Sequence, residues 1–198
     1  MMWDVKVITP PAQPVITLDE ARQHLRLDAT GTPAVHPDDD LIGKFVEAAR
    51  QELEAPNGWL GRSLMTQTLQ LTLPRFPLNV IKLPFSPVQT ITSVKYSGSD
   101  GTEVTMDAAE YRLANAYLPA LLQPVAGSWP DTGLFADAVQ ITYVAGADEV
   151  EELIKQYIKV RLGDFYSHRE MVIAGIQFAA HPYARDSLEN MRIRGSFP

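Results

Sequence analysis

The sequence predicts an α+β protein: N- and C-terminal helices form a helical layer, and an antiparallel β module of short strands is inserted between them. Three observations carry this. Apolar residues recur at helical spacing at Leu41, Ile42, Phe45, Val46, Ala49 and Leu53, and again from Val150 through Leu153, Ile154, Tyr157, Ile158 and Leu162 to Phe165. Between these stretches the period falls to two, as where Leu69, Leu71 and Leu73 alternate with Gln70 and Thr72. Most of the fifteen prolines lie between Pro10 and Pro130, which divides that region into short elements joined by turns.

Taken in order, residues 1–16 read as an extended arm, with prolines at 10, 11 and 14 and a short alternating piece over 5–8. Thr17 and Glu20 have the spacing of a capping box, so a short helix starts there, turns Leu18, Ala21 and Leu25 inward and ends near Leu27. The loop over 28–37 precedes Asp38, Asp39 and Asp40, carboxylates that suit the positive end of a helix dipole. Asn57-Gly58 supplies a left-handed residue to end that second helix. Strands follow over 66–73, 80–83, 91–96, 102–106, 111–113, 121–125 and 139–143. Asp100-Gly101 at a turn tip pairs the third and fourth of these as a hairpin. The third helix covers 148–166 and has the strongest amphipathic pattern in the chain, with Lys155, Lys159 and Arg161 off its apolar stripe. Pro182 opens a last helix that carries Leu188 and Met191 inward. The expected organisation is an arm (1–16), a helical domain (17–63 with 147–192), an inserted β module (64–146) and a flexible tail (193–198).

Composition narrows the function. At 198 residues the chain is one domain, or a domain with a large insertion, and folding hides roughly 70% of the unfolded chain's surface at this size. With no cysteine, neither disulfides nor a thiolate metal site hold it together. A formal charge of −7 argues against wrapping duplex DNA, which requires clustered Lys and Arg, yet suits a surface past which DNA slides. No apolar run approaches the ~20 residues of a membrane helix. The start, MMWDVKVITPP, lacks the features of a signal peptide, so the chain reads as soluble and unprocessed.

A search for chemistry leaves little. The Asp38–Asp40 cluster lacks the alternating oxygens, glycine and closing glutamate of an EF-hand and reads as a helix start. His24, His36, His168 and His181 are never spaced for two ligands on one helical face. Ser128 is outside any nucleophile elbow, and phosphate-loop and dinucleotide glycine patterns are absent. Trp59 and Trp129 read as aromatics buried at the joint between helix and sheet. The basic tail, with Arg192, Ile193, Arg194 and Phe197, reads equally as a segment that docks in a partner's groove and as plain disorder. No enzyme, cofactor or metal site is expected.

The order of segments is similar to a known family. "ITLDEARQHLRLD", "DDDLIGKFVEAARQELE", "GRSLMTQTLQLTLPRFP" and "IKLPFSPVQTITSVKYSGSDG", continuing through "EYRL", "GSWP" and "AVQITYVAG" to "IKQYIKVRLGDFYSHRE", resemble the head–tail connector (adaptor) proteins of tailed bacteriophages and gene transfer agents. The resemblance spans about residues 15–192. It implies a structural adaptor, assembled in the bacterial cytoplasm and housed at the head–tail interface of a virion or phage-like particle. Such proteins form a homo-oligomeric ring, usually dodecameric, below the portal protein, extend the DNA channel without binding DNA specifically, and receive a stopper or tail-terminator protein. On that reading Arg192, Ile193, Arg194 and Phe197 dock on the portal, and Tyr157, Val160 and Phe165 contact a ring neighbour. The rivals are a stopper or tail-completion protein of the same particle, which should be mostly β, and an α+β small-molecule-binding protein or hydrolase, which should show a pocket of convergent titratable groups.

Overall fold

The structure is a computed structural model that describes residues 3–54, 56, 58–168 and 186–193. The chain forms two compact units, one from residues 1–12, 61–148 and 193–198, the other from residues 13–60 and 149–192. The first is built of strands and the second of helices, so the α+β class and the insertion of antiparallel sheets between terminal helices hold.

In the helical unit, α1 (Leu18–Leu25) starts with a complete capping box. The Glu20 N–H donates to Thr17 Oγ1 at 3.2 Å, and the Thr17 N–H donates to Glu20 Oε2 at 2.7 Å. The helix stops at Arg26, whose left-handed φ of 58° lets its N–H reach back to the Arg22 and Gln23 carbonyls. Ala21 is buried and Leu25 half-buried, whereas Leu18, expected inward, is exposed.

The second helix, α2 (Asp39–Leu53), buries Ile42, Val46, Ala49 and Leu53 at the predicted spacing. Its end differs from the expectation. Glu54 turns to an extended backbone, and Gly58 is absent from the described residues with positive φ; Asn57 lies outside the described residues. Gly58 is needed for a different reason: a Cβ there would collide with the Glu54 carbonyl oxygen and the Leu53 carbonyl carbon.

The third helix, α3 (Glu152–Ser167), begins four residues later than expected and buries Ile154, Tyr157, Ile158 and Leu162. Its amphipathicity is weaker than the sequence suggests. Leu153, assigned to the inward stripe, is 41% exposed, and Val160 is 37% exposed, so apolar residues also occupy the outer side. Leu188, on the short helical turn over 186–188, is buried, and Met191 is half-buried. The segment over 169–185, including Pro182, lies outside the described residues.

The β unit contains β1 (Asp4–Thr9), β2 (Gln67–Leu73), β3 (Ile81–Leu83), β4 (Val88–Ser97), β5 (Glu103–Thr105), β6 (Tyr111–Ala114), β7 (Ala120–Pro124) and β8 (Val139–Ala145). They make a five-stranded antiparallel sheet in the order β1-β2-β8-β4-β5 and a three-stranded sheet in the order β3-β7-β6. In the N-terminal segment, β1 is an edge strand of the sheet and pairs with β2 from Asp4↔Thr72 to Thr9↔Thr68. Strict alternation in β2 and β8 buries Leu69, Leu71, Leu73, Val139, Ile141 and Tyr143, so both strands turn one face to the core. The β4–β5 hairpin forms around Asp100-Gly101, with Gly101 at φ 81° and the Asp100 carboxylate accepting the Thr102 N–H at 3.0 Å. Two register shifts in β4 break its alternation, which leaves Ile91 half-buried.

Candidate functional site

The surfaces of each unit rest on a frame of polar contacts. In the helical unit Arg22, on α1, faces Asp39 at the start of α2. Nε donates to Oδ1 at 2.8 Å and Nη2 to Oδ2 at 2.7 Å, a bidentate pair. The His36 N–H adds a bond to Asp39 Oδ2 at 2.9 Å. These Arg22 hydrogen bonds, then the His36 N–H and the guanidinium's charge, lower the Asp39 carboxyl to about 2, against the opposing cost of burial. Asp38 makes no side-chain cap and instead accepts the Tyr166 hydroxyl at 2.6 Å. Of the acidic trio, read from sequence as a solvated helix start, two members thus join α2 to α1 and α3, and Asp40 alone is exposed.

A second junction ties α2 to α3. Arg161 donates through Nε and Nη2 to Glu52 at 2.9 and 2.6 Å, and its guanidinium lies 4.6 Å from the Phe165 ring centroid. Phe165 in turn packs against Phe45 at 5.7 Å between centroids. The three residues expected at a ring neighbour therefore have different placements: Tyr157 is buried in the helical unit, Phe165 is half-buried against Phe45, and Val160 is exposed.

Of the residues expected at the portal, Arg192 and Ile193 are described, while Arg194 and Phe197 lie outside the described residues. Arg192 places its guanidinium 5.2 Å from the ring centroid of Trp59 and lies 3.9 Å from Glu189 Oε1. Trp59 is therefore half-buried under a cation. The Ile193 carbonyl approaches Gly61 so closely that a Cβ there would meet it at 2.9 Å. Gly61 also has φ 63°, so the position favours glycine twice over.

In the β unit, Tyr143 is fully buried on β8 and donates its hydroxyl to the Pro84 carbonyl at 2.9 Å, linking β8 to the segment after β3; burial pushes its phenol pKa up. Ser86, also buried, donates to the Leu83 carbonyl at 3.2 Å and accepts the Ala120 N–H at 2.8 Å. Trp129 is buried, although within the loops of the β unit and away from the helix-to-sheet joint assigned from sequence. Its ring stacks on Phe76 with centroids 4.7 Å apart, and Nε1 donates to the Asn79 carbonyl at 2.7 Å. These loops and their apolar tips have no sequence motif.

Among the described residues no group of three His, Asp or Glu side chains is placed to hold a metal ion, and no helix is long and apolar enough to cross a membrane. His24 and His168 are exposed and in different elements, His36 accepts the Asp38 N–H at 3.1 Å, and His181 lies outside the described residues. Ser128 is in an exposed turn. The polar side chains of Arg22, Arg161 and Tyr143 link helix to helix and strand to neighbouring segment.

No protein-family model matches the sequence, and neither does any curated protein. Solved structures do match. The chain is similar to one in the neck of an empty gene transfer agent particle computed with C6 symmetry, at a TM-score of 0.77 and 22% identity, covering 100% of both chains. It is also similar to a chain in the virion of a native gene transfer agent particle, at a TM-score of 0.74 and 20% identity over 98% of this chain and 97% of that one. A third, from the neck of the native particle computed with C12 symmetry, matches at a TM-score of 0.73 and 19% identity over 100% of both. At such identities the likeness establishes a shared fold, and it does so from end to end.

Proposed function

We propose that the chain is a structural head–tail adaptor of a phage-like particle, without enzymatic activity. The observation that carries this is the end-to-end match, at a TM-score of 0.77, to a chain of a gene transfer agent neck. Agreement over both full lengths includes the helices, the two sheets and their connections, which a shared small motif would not. On this reading the protein occupies the neck of the particle as a homo-oligomeric ring, dodecameric by analogy with the C12 symmetry of one matched neck. The ring lies below the portal protein and receives a stopper or tail-terminator protein on its other side. DNA passes through its lumen, where a net charge of −7 per chain opposes sticking.

The exposed side of α3, with Leu153 and Val160, is the proposed ring contact, since a heterologous ring needs two faces that a monomer leaves open. Tyr157 is buried and Phe165 half-buried against Phe45, so Val160 is the exposed member of the three residues expected at the neighbour. The portal contact is assigned to Arg192, Ile193, Arg194 and Phe197. A stopper in the same neck is the nearest rival, and the helical unit of α1, α2 and α3 is the feature that favours the adaptor over it.

Mixing the purified chain with the cognate portal and sizing the product by light scattering tests the reading. The expected product is a portal carrying a full ring of this chain, and a variant truncated after Ile193 should bind the portal at least tenfold more weakly. Two separate peaks at every ratio would remove the adaptor assignment.

A further inference from the structure

One end of the β unit gathers exposed apolar side chains from four separate segments. The registers Leu73↔Val139 and Tyr96↔Val139 bring the 74–80 loop, the 131–138 loop and the β4–β5 turn to the same end of the five-stranded sheet. Leu78 is 92% exposed and Leu134 101%, and Phe135, Val104 and Val125 are exposed as well. Val125 reaches this end because Leu83↔Ala120 and Ile81↔Leu122 run β7 toward the 74–80 loop.

The loops that carry these tips are well braced. Trp129, stacked on Phe76, holds the Asn79 carbonyl, and Tyr96 meets Phe76 edge-on at 5.8 Å. The Gly133 N–H donates to the Ser97 carbonyl at 2.9 Å, and the Ser97 N–H donates to the Ala138 carbonyl at 2.8 Å. Leu78 and Leu134 thus project from anchored turns, at a cost in exposed apolar surface that folding alone does not explain.

Charge and position select the occupant. Asp100, Asp131 and Asp137 are exposed around the tips, and Arg75 is the only basic residue in these loops. An acidic rim disfavours DNA, anionic membrane and a second copy of a chain whose net charge is −7. Ile193, one residue of the proposed portal contact, lies against Gly61 at the other end of the unit: Arg62 bridges to Phe85, ahead of Val88, which pairs with Ala145 and through it with Gln67. The two ends are separated by the length of β2, about 20 Å.

We infer that the Leu78/Leu134 end is the docking surface for the neighbouring neck protein on the side away from the portal, one presenting apolar side chains ringed by Lys or Arg. The inference rests on the adaptor reading. The test uses full-length chain with the double substitution Leu78→Asp/Leu134→Asp, portal-bearing heads and purified tails of the cognate particle. Both side chains are solvent-exposed, so circular dichroism and melting temperature should match wild type. Heads should take up the variant ring normally, while the fraction joined to tails, counted by electron microscopy, should fall at least tenfold. Asp131→Lys/Asp137→Lys should lower joining in the same direction. Wild-type joining by the leucine variant would overturn the inference and leave the adaptor reading standing. A folded variant that no longer forms rings on heads would overturn it too, because the end would then be a contact between copies. Failure of the wild-type chain to bind heads would remove the adaptor reading itself, and this inference with it.

Discussion

Arg22 holds Asp39 through two parallel hydrogen bonds, Nε to Oδ1 at 2.8 Å and Nη2 to Oδ2 at 2.7 Å, across seventeen positions of sequence. The pair joins α1 to the first turn of α2, and the carboxylate is also where the positive end of that helix dipole lies. Because the Asp39 carboxyl is lowered from 3.8 to about 2, the unfolded chain binds more protons than the native one between those values. The stabilisation is therefore complete above about pH 4 and is lost as pH falls toward 2. Asp39→Asn should melt at a lower temperature than wild type at pH 7, and the gap between them should close by pH 2. Thermal unfolding of both proteins across that range checks it.

Tyr143 and Pro84 form the corresponding link in the β unit, with the phenol buried and donating at 2.9 Å. Tyr143→Phe leaves the Pro84 carbonyl without that donor and should cost about 1–3 kcal/mol in chemical denaturation. Since burial raises the phenol above its ordinary 10.0, the unfolded chain ionises first as pH rises. Wild type should therefore lose stability above pH 10, and the Phe variant should lose less.

Ser86 serves two partners at once, donating to Leu83 and accepting from Ala120. Ser86→Ala removes the acceptor for a buried N–H at the start of β7, and a loss of about 1–3 kcal/mol is expected. Ser86→Thr, which keeps the oxygen, separates the hydrogen bond from the packing: recovery with Thr assigns the loss to the bond.

The elements that were legible in the sequence are those with local causes. Thr17 and Glu20 are three apart and complete each other's hydrogen bonds, and Asp100-Gly101 builds its own turn. Leu69, Leu71 and Leu73 alternate because β2 has one buried face. What was missed depends on partners far away in sequence. Nothing near Asp38 or Asp39 announces Tyr166 or Arg22, so a structural acidic cluster reads as a solvated one. Leu153 inflates the apparent core face of α3, because an apolar residue left exposed looks the same in sequence as a buried one. The end of α2, expected at Asn57-Gly58, comes earlier at Leu53, and Gly58 is needed there for its small size, without a left-handed φ.

The outer side of α3 gives a prediction that separates assembly from stability. Leu153→Glu and Val160→Glu replace exposed residues and should shift stability by no more than about 0.5 kcal/mol. On the proposed ring contact, each should reduce the number of chains taken up per portal, as read by light scattering. Full occupancy by both variants would move the contact to another face.

The most direct test of the adaptor assignment is cryo-electron microscopy of particles that contain this chain. The prediction is a closed ring of the described fold immediately below the portal, with α3 outer faces between neighbours and the Leu78/Leu134 ends directed toward the tail. Particles whose density between portal and tail is filled by other proteins, with this chain absent from the neck, would contradict it.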